Sequence, residues 1–237
     1  SQAYNSMLKS MRELIRRSVD LGHETAVSKI KQLESQFHPH FLFNTLENIR
    51  FMIRIDPKAA DKAMVALSSL LRYSIQSGGM MIPLCEDLNY IRSYMRILEM
   101  RFGDRLSYRI DVPAELEDFP VPKLIVQPII ENAAVYGMKR SDHLFISLSA
   151  CLDGSSVVLR VTDNGPGIEP EMLRQLKACL TDVHAERGDH FGIMNVHERI
   201  RLIYGDQYGI SIESQVEKGT TVLLRFPRDG ARKGDLL

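Results

Sequence analysis

Apolar residues recur at helical spacing from the start of the chain: Met7, Leu8, Met11, Leu14 and Ile15, then Val27, Ile30 and Leu33, with charges between them. The stripe is narrow, as in a coiled-coil seam, and the two stretches join around Gly22, where the register is expected to slip. Residues 1–35 are therefore expected to form a signalling helix. The helical period continues through two segments expected to pair as an antiparallel hairpin. The first reaches about Ile55, Asp56-Pro57 breaks it, and Pro57 suits the first turn of the second. The second carries Ala63, Leu67, Leu70, Leu71 and Ile75 and stops before Gly78-Gly79. A third helical stretch runs from about residue 84 to 101, with Glu86 and Asp87 in its first turn, where the helix dipole favours acids.

The period changes after Gly103. Residues 106–112 alternate as a strand does, and 121–135 read as an apolar helix. Residues 144–152 and 157–163 read as strands joined by an Asp153-Gly154 turn. Residues 172–180 and 193–203 read as helices, and 210–214 and 221–226 as closing strands. The expected fold class is α+β: a helical hairpin, forming a four-helix bundle in a dimer, followed by an α/β sandwich with helices on one sheet face. The expected parts are a helix over 1–35, a helical hairpin over 36–103, an α/β module over 104–228 and a flexible tail over 229–237.

Composition narrows the class. The chain is 44% hydrophobic and 25% charged over 237 residues, ordinary for a globular protein with a core. Thirty basic residues balance thirty acidic ones. That balance argues against nucleic acid as a partner and against adhesion to an anionic membrane. Cys85, Cys151 and Cys179 are scattered, odd in number and form no C-x-x-C pair, so a reducing, cytoplasmic setting without disulfides is expected. No apolar run approaches the roughly 18 residues that span a bilayer, so no membrane contact is expected from this stretch. The helical pattern is already under way at Ser1, without a cap or an initiator methionine. It suggests a fragment cut from a longer protein, though a tag scar would look similar.

Two regions carry chemistry. The first is Q-F-H-P-H-F-L-F-N, residues 36–44. Proline inside a helix costs about 3 kcal/mol, so Pro39 is expected to bend the chain and free the carbonyl of Ser35. By helical phase His38 falls in the apolar arc of Phe37, Phe41, Leu42, Leu46 and Ile49. His40 falls opposite, with Gln36, Asn44, Glu47 and Arg54. A solvent-facing neutral imidazole offers a nitrogen lone pair at pH 7 that can attack phosphorus.

The second region is a set of three stretches. Q-P-I-I-E-N-A, residues 127–133, places Asn132 in an otherwise apolar helix, where an amide must be paired or point at a ligand. D-N-G-P-G-I, residues 163–168, ends a strand. Asp163 can accept a hydrogen bond from an exocyclic amine, and Gly165 and Gly167 let backbone approach a flat ring. H-F-G-I-M-N-V, residues 190–196, puts Gly192 before a helix whose free N–H groups suit phosphate. Gly219-Thr220-Thr221 opens the last strand. This is neither a P-loop nor a dinucleotide-binding glycine fingerprint.

The ordered set N, D-x-G-x-G, G-x-x-N, G-T resembles the Bergerat ATP-binding fold shared by gyrase, Hsp90, MutL and histidine kinases. Joined to P-H-F-L-F-N, it resembles the sensor histidine kinases of the LytS and YesM type, over about residues 30–228. The first residues resemble the end of a HAMP linker. The resemblance implies that His40 is the phosphoacceptor and that Asn132 holds Mg²⁺ against the phosphates of ATP. It implies that Asp163 binds the adenine amine, that Gly165, Gly167 and Gly192 shape the pocket and its lid, and that Thr220 or Thr221 touches the base side. It further implies a homodimer and a response regulator receiver domain that takes the phosphoryl group on an aspartate. The chain departs from the pattern at His38, usually a polar residue such as Asn, and at Tyr136, usually His. Phe41 follows the phosphoacceptor where many histidine kinases carry an acid. Glu131 is the candidate base by adjacency. An ATPase on the same fold is the rival reading, as is a signalling scaffold that binds ATP without transfer. Gyrase-like ATPases carry a water-activating Glu four residues before the magnesium Asn, and this chain has Pro128 there.

Overall fold

The computed structural model describes residues 39–75, 81–181 and 191–230. The expected coiled coil, the bend at Ser35 and the packing of His38 lie outside them. The chain divides into two compact units, residues 1–60 and 61–237.

In the first unit helix α1 spans Pro39–Met52. It ends three residues earlier than the apolar period suggests. Residues 53–55 form a turn closed by Ile55 N–H to the Met52 carbonyl at 3.0 Å and Asp56 N–H to the same oxygen at 2.8 Å. Helix α2, Pro57–Ile75, then starts at the expected proline. Asp56 caps it, its Oδ1 accepting from the Ala59 N–H at 3.0 Å, which satisfies a first-turn donor that has no helical partner.

The second unit holds the remainder of α2 and a five-stranded sheet in the order β2-β4-β5-β7-β6, made of β2 (Leu106–Asp111), β4 (Leu144–Asp153), β5 (Ser156–Asp163), β6 (Gly209–Gln215) and β7 (Gly219–Pro227). Only β2 and β4 run parallel; the other neighbours are antiparallel. Gly154, at φ +58°, supplies the tight β4–β5 turn that Asp153-Gly154 implies. Helices α3 (Leu84–Phe102), α4 (Gln127–Gly137), α5 (Pro170–Thr181) and α6 (Phe191–Tyr204) complete the unit. Alternate sheet residues (Ile146, Leu148, Leu159, Val161, Val222, Leu224 and Phe226) are buried, with Ile129, Ile130, Leu176 and Ile200 of the helices. Burying such a side chain is worth about 1.5–3 kcal/mol. Of the opposite parity, Ser156 and Val158 are buried, while Arg160, Thr162, Thr221 and Leu223 stay partly or fully exposed. One face carries the core and the other is open, as the α+β reading expects.

One expectation fails. Residues 121–135 are not a single helix. Pro120–Pro122 form strand β3, antiparallel to β1 (Met81–Pro83), with Val121 opposite Ile82. The helix starts only at Gln127. Pro120 and Pro122 cannot serve a helix interior, but they fit a short edge pairing. An apolar run does not itself separate buried strand from buried helix.

Candidate functional site

Asp163 ends β5 on the sheet face that the helices cover, opposite Thr220 of β7 in register. Its Oδ1 accepts the Gly165 N–H at 2.8 Å. Burial pushes its carboxyl above the ordinary carboxylate value, while the N–H groups of Gly165 and Thr220 pull it back. The result is a half-buried acceptor at the end of the sheet, beside a glycine turn.

The glycines there are required by space. A Cβ on Gly165 would lie 3.2 Å from Gly137 Cα and 2.7 Å from Asp163 Oδ1. Gly167 has φ +70°, and a Cβ there would lie 2.1 Å from the Gln215 carbonyl oxygen. Gly219, at φ +100°, would put a Cβ 1.9 Å from the Asp163 carbonyl oxygen. The strand end, the D-N-G-P-G turn and the start of β7 thus stack backbone on backbone, leaving no room for a side chain.

Asn132 lies on α4, half-buried, with no hydrogen-bond partner among the described residues. Its neighbour across the cleft is Gly192 of α6. A Cβ built there would sit 3.6 Å from Asn132 Nδ2 and 3.4 Å from Pro128 Cβ. Gly192, near the start of α6 as described, therefore stands beside the Asn132 amide. Glu131, next to Asn132, accepts from Gln127 Nε2 at 2.7 Å.

The two threonines part company. Ser214 donates its single proton to the Gly219 carbonyl at 2.9 Å and accepts from the Ile168 N–H at 2.9 Å. Its 2.9 Å contact with Thr220 Oγ1 is then donated by Thr220, whose lone pairs are left to the cleft. Thr221 points to the opposite face and meets Thr162 Oγ1 at 3.0 Å. Asp163, Gly165, Gly167 and Thr220 gather at the end of the sheet, Gly165 packs on Gly137 of the helix that carries Asn132, and Gly192 lies beside Asn132; Thr221 is on the opposite face. His40 lies on α1, in the other unit.

The sequence reading missed Gly137 and Ser214. Gly137 is the point where α4 meets both Gly165 and Leu144; a Cβ there would lie 2.4 Å from Leu144 Cδ1. A glycine ending an apolar helix is the signal that was available. Ser214 has none, because its role depends on strand register.

The arrangement offers an amine-binding carboxylate, a backbone slot for a flat ring, a helix N-terminus for phosphate and an amide oxygen beside it. The histidine kinase family model matches residues 28–106. The model for the histidine kinase-, DNA gyrase B- and HSP90-like ATPases matches residues 118–230. The chain is 32% identical over 226 residues to the sensor histidine kinase YesM of Bacillus subtilis, covering 94% of this chain and 37% of that protein. It is 32% identical over 200 residues to the sensor protein kinase HptS of Staphylococcus aureus, covering 84% and 38%. The chain thus spans under half the length of these relatives. The histidine kinase domain of the blue-light activated kinase of Erythrobacter litoralis superposes with a TM-score of 0.46 at 13% identity, covering 84% of this chain and 93% of that one. With one family model over residues 28–106, another over residues 118–230, and named sensor kinases similar over most of this chain, the chain belongs to the sensor histidine kinases.

Proposed function

We propose that the chain is the catalytic part of a two-component sensor, moving the γ-phosphoryl group of ATP to His40 and then to an aspartate of a response regulator receiver domain. What supports it is the group Asp163, Gly165, Gly167 and Thr220 at the sheet end, with Gly165 against Gly137 of the helix that carries Asn132 and Gly192 beside Asn132, in a chain that also carries P-H-F-L-F-N.

In this reading Asp163 accepts from the adenine amine, and Gly165 and Gly167 let the ring lie against backbone. Thr220 offers lone pairs beside the base. The first turn of α6 at Gly192 faces the phosphates. The unprotonated ring nitrogen of His40 attacks the γ-phosphorus, the bond to the β,γ-bridging oxygen breaks, ADP leaves, and the imidazole N–H proton is lost. Asn132 suits Mg²⁺: its amide oxygen is a hard donor with no competing partner among the described residues, and magnesium takes few protein ligands because substrate phosphates supply others. When bound, that ion neutralises charge on the transferring phosphates. Among the described residues no group of three His, Cys, Asp or Glu could hold a metal alone. Pro128, where a hydrolase needs its acid, favours transfer over hydrolysis. Glu131, adjacent to Asn132 in the sequence, is the candidate acid for proton removal, and its carboxylate accepts from Gln127 Nε2.

The reading places this part in the cytoplasm, where ATP is, as the output end of a membrane receptor. Among the described residues no helix is long and apolar enough to cross a membrane. The proposed assembly is a homodimer.

Incubation with γ-labelled ATP and Mg²⁺ tests it, comparing the native chain with His40→Ala and Asn132→Ala. Acid-labile, base-stable label is expected in the native chain. It should be lost in His40→Ala with ATP binding intact, and lost in Asn132→Ala together with nucleotide affinity. ATP binding without label would sink the transfer reading and leave a signalling scaffold.

A further inference from the structure

Asp87 lies in the first turn of α3, but its carboxylate does not face water there. It is fully buried. Its Oδ1 accepts from the Leu124 N–H at 2.7 Å and from the Tyr73 hydroxyl at 3.2 Å, and its Oδ2 accepts from the Val126 N–H at 3.2 Å. A buried carboxylate is tolerated only with such donors.

Each partner leads somewhere. Leu124 has φ +60°, a left-handed conformation that a branched residue resists, so its amide is held by the carboxylate in a backbone geometry it would not choose alone. Val126 caps α4, its carbonyl accepting from Ile129 N–H at 3.1 Å and Ile130 N–H at 3.2 Å; Asn132 is carried on that helix. Lys123, one residue before, has its ammonium 4.7 Å from the centre of the Tyr73 ring, and its carbonyl accepts from Arg199 Nη1 at 2.7 Å. Arg199 lies on α6, the helix that carries Gly192 beside Asn132. Tyr73 lies in the last turn of α2, the helix that follows the phosphoacceptor helix in the chain.

We propose that Asp87 is a positioning residue for the ATP site, fixing residues 124–126 so that α4 presents Asn132, and that Tyr73 makes this placement depend on the end of α2. This inference rests on the reading of the cleft as an ATP site. The carboxylate does not touch nucleotide. It acts by setting the launch point of the helix that does. Because Tyr73 binds the same oxygen as Leu124, a movement of α2 that withdraws the hydroxyl changes the hold on that launch point. The end of α2 and the start of α4 are thereby linked through the Asp87 carboxylate.

The test uses the whole chain with two variants, Tyr73→Phe and Asp87→Asn. The first removes only the hydroxyl and keeps the ring beneath Lys123. The second keeps the shape but turns an amide donor toward a backbone N–H. Titration with a fluorescent ATP analogue reads the site alone, and γ-labelled ATP reads transfer. Asp87→Asn is expected to weaken nucleotide binding about tenfold, the size of a lost charge-assisted hydrogen bond. Tyr73→Phe is expected to leave binding within about twofold while changing the rate of His40 labelling at least threefold, and to add nothing in the Asp87→Asn background. Hydrogen exchange should rise in residues 123–137 and stay unchanged in β5 and β7, which a general loss of stability would not do. Binding and labelling within twofold of native in both variants would overturn the proposal. If Asp87→Asn does not fold, Tyr73→Phe decides alone. A native chain that binds no nucleotide would instead indict the ATP-site reading.

Discussion

At the scale of single residues the cleft is set by what cannot be there. Gly167 combines φ +70° with a backbone oxygen 2.1 Å from any Cβ. An alanine would need both a left-handed conformation and displacement of Gln215. Gly167→Ala is expected to lower stability by more than about 2 kcal/mol and to abolish ATP binding. Urea unfolding and nucleotide titration check the two effects separately; a fully stable variant with native affinity would mean the turn gives way easily. The threonines make a finer comparison. Thr220→Val removes the donor to Ser214 and the lone pairs beside Asp163, and is expected to weaken ATP binding several-fold. Thr221→Val alters the open face, where only Thr162 loses a partner, and affinity should stay native. Equal effects of the two would contradict the strand register as the cause.

At the scale of elements, Asp87 joins helix to helix and carries a pH signature. Burial raises its carboxyl from 3.8 to about 6, against the pull of the Val126 and Leu124 N–H groups, the Tyr73 hydroxyl and the charge of Arg199. The unfolded chain releases this proton near 3.8, the folded chain near 6. Between those values the folded state holds more protons, so rising pH removes stability across that window and no more above it. The full shift corresponds to about 3 kcal/mol. Urea unfolding from pH 4 to 7 should show the native chain losing stability relative to Asp87→Asn as pH rises through the window, then a constant difference. A constant difference throughout would mean Asp87 does not titrate there.

Element boundaries also show what the sequence could and could not reveal. Alternating strands, the Asp153-Gly154 turn and the break at Asp56-Pro57 depend on neighbours a few residues apart, and all were legible. The start of α4 was not, because the pairing of Val121 with Ile82 is long-range and invisible to periodicity. The same distinction applies in the cleft. Asn132, Asp163 and the glycines stand out as a polar residue in an apolar helix and as turn residues. That Thr220 and not Thr221 faces Asp163 follows from the β5–β7 register. Asp87 reads locally as a helix-dipole acid, and only the fold brings Leu124, Val126 and Tyr73 around it.

At the scale of the whole molecule, the first unit presents apolar surface that its own described residues do not cover. Along and just after α1, Phe43 is 70% exposed, Phe51 69%, Ile53 55%, Ile55 68% and Leu46 47%. Such a run is unusual for a monomer and marks a contact surface. The homodimer proposed above supplies the occupant, a second copy of the same helix. Phe51→Glu places a charge among these side chains and is expected to shift the chain from dimer to monomer in light scattering at micromolar concentration. ATP affinity should not change, because Asn132, Asp163, Gly192 and Thr220 all lie in the other unit. The effect on labelling then separates two routes. If each nucleotide module serves its partner's His40, the monomer loses label, and mixing His40→Ala with Asn132→Ala chains restores it. If transfer stays within one chain, the monomer keeps its label and the mixture gives none. A Phe51→Glu chain that remains a dimer would show that this surface is not the one that pairs.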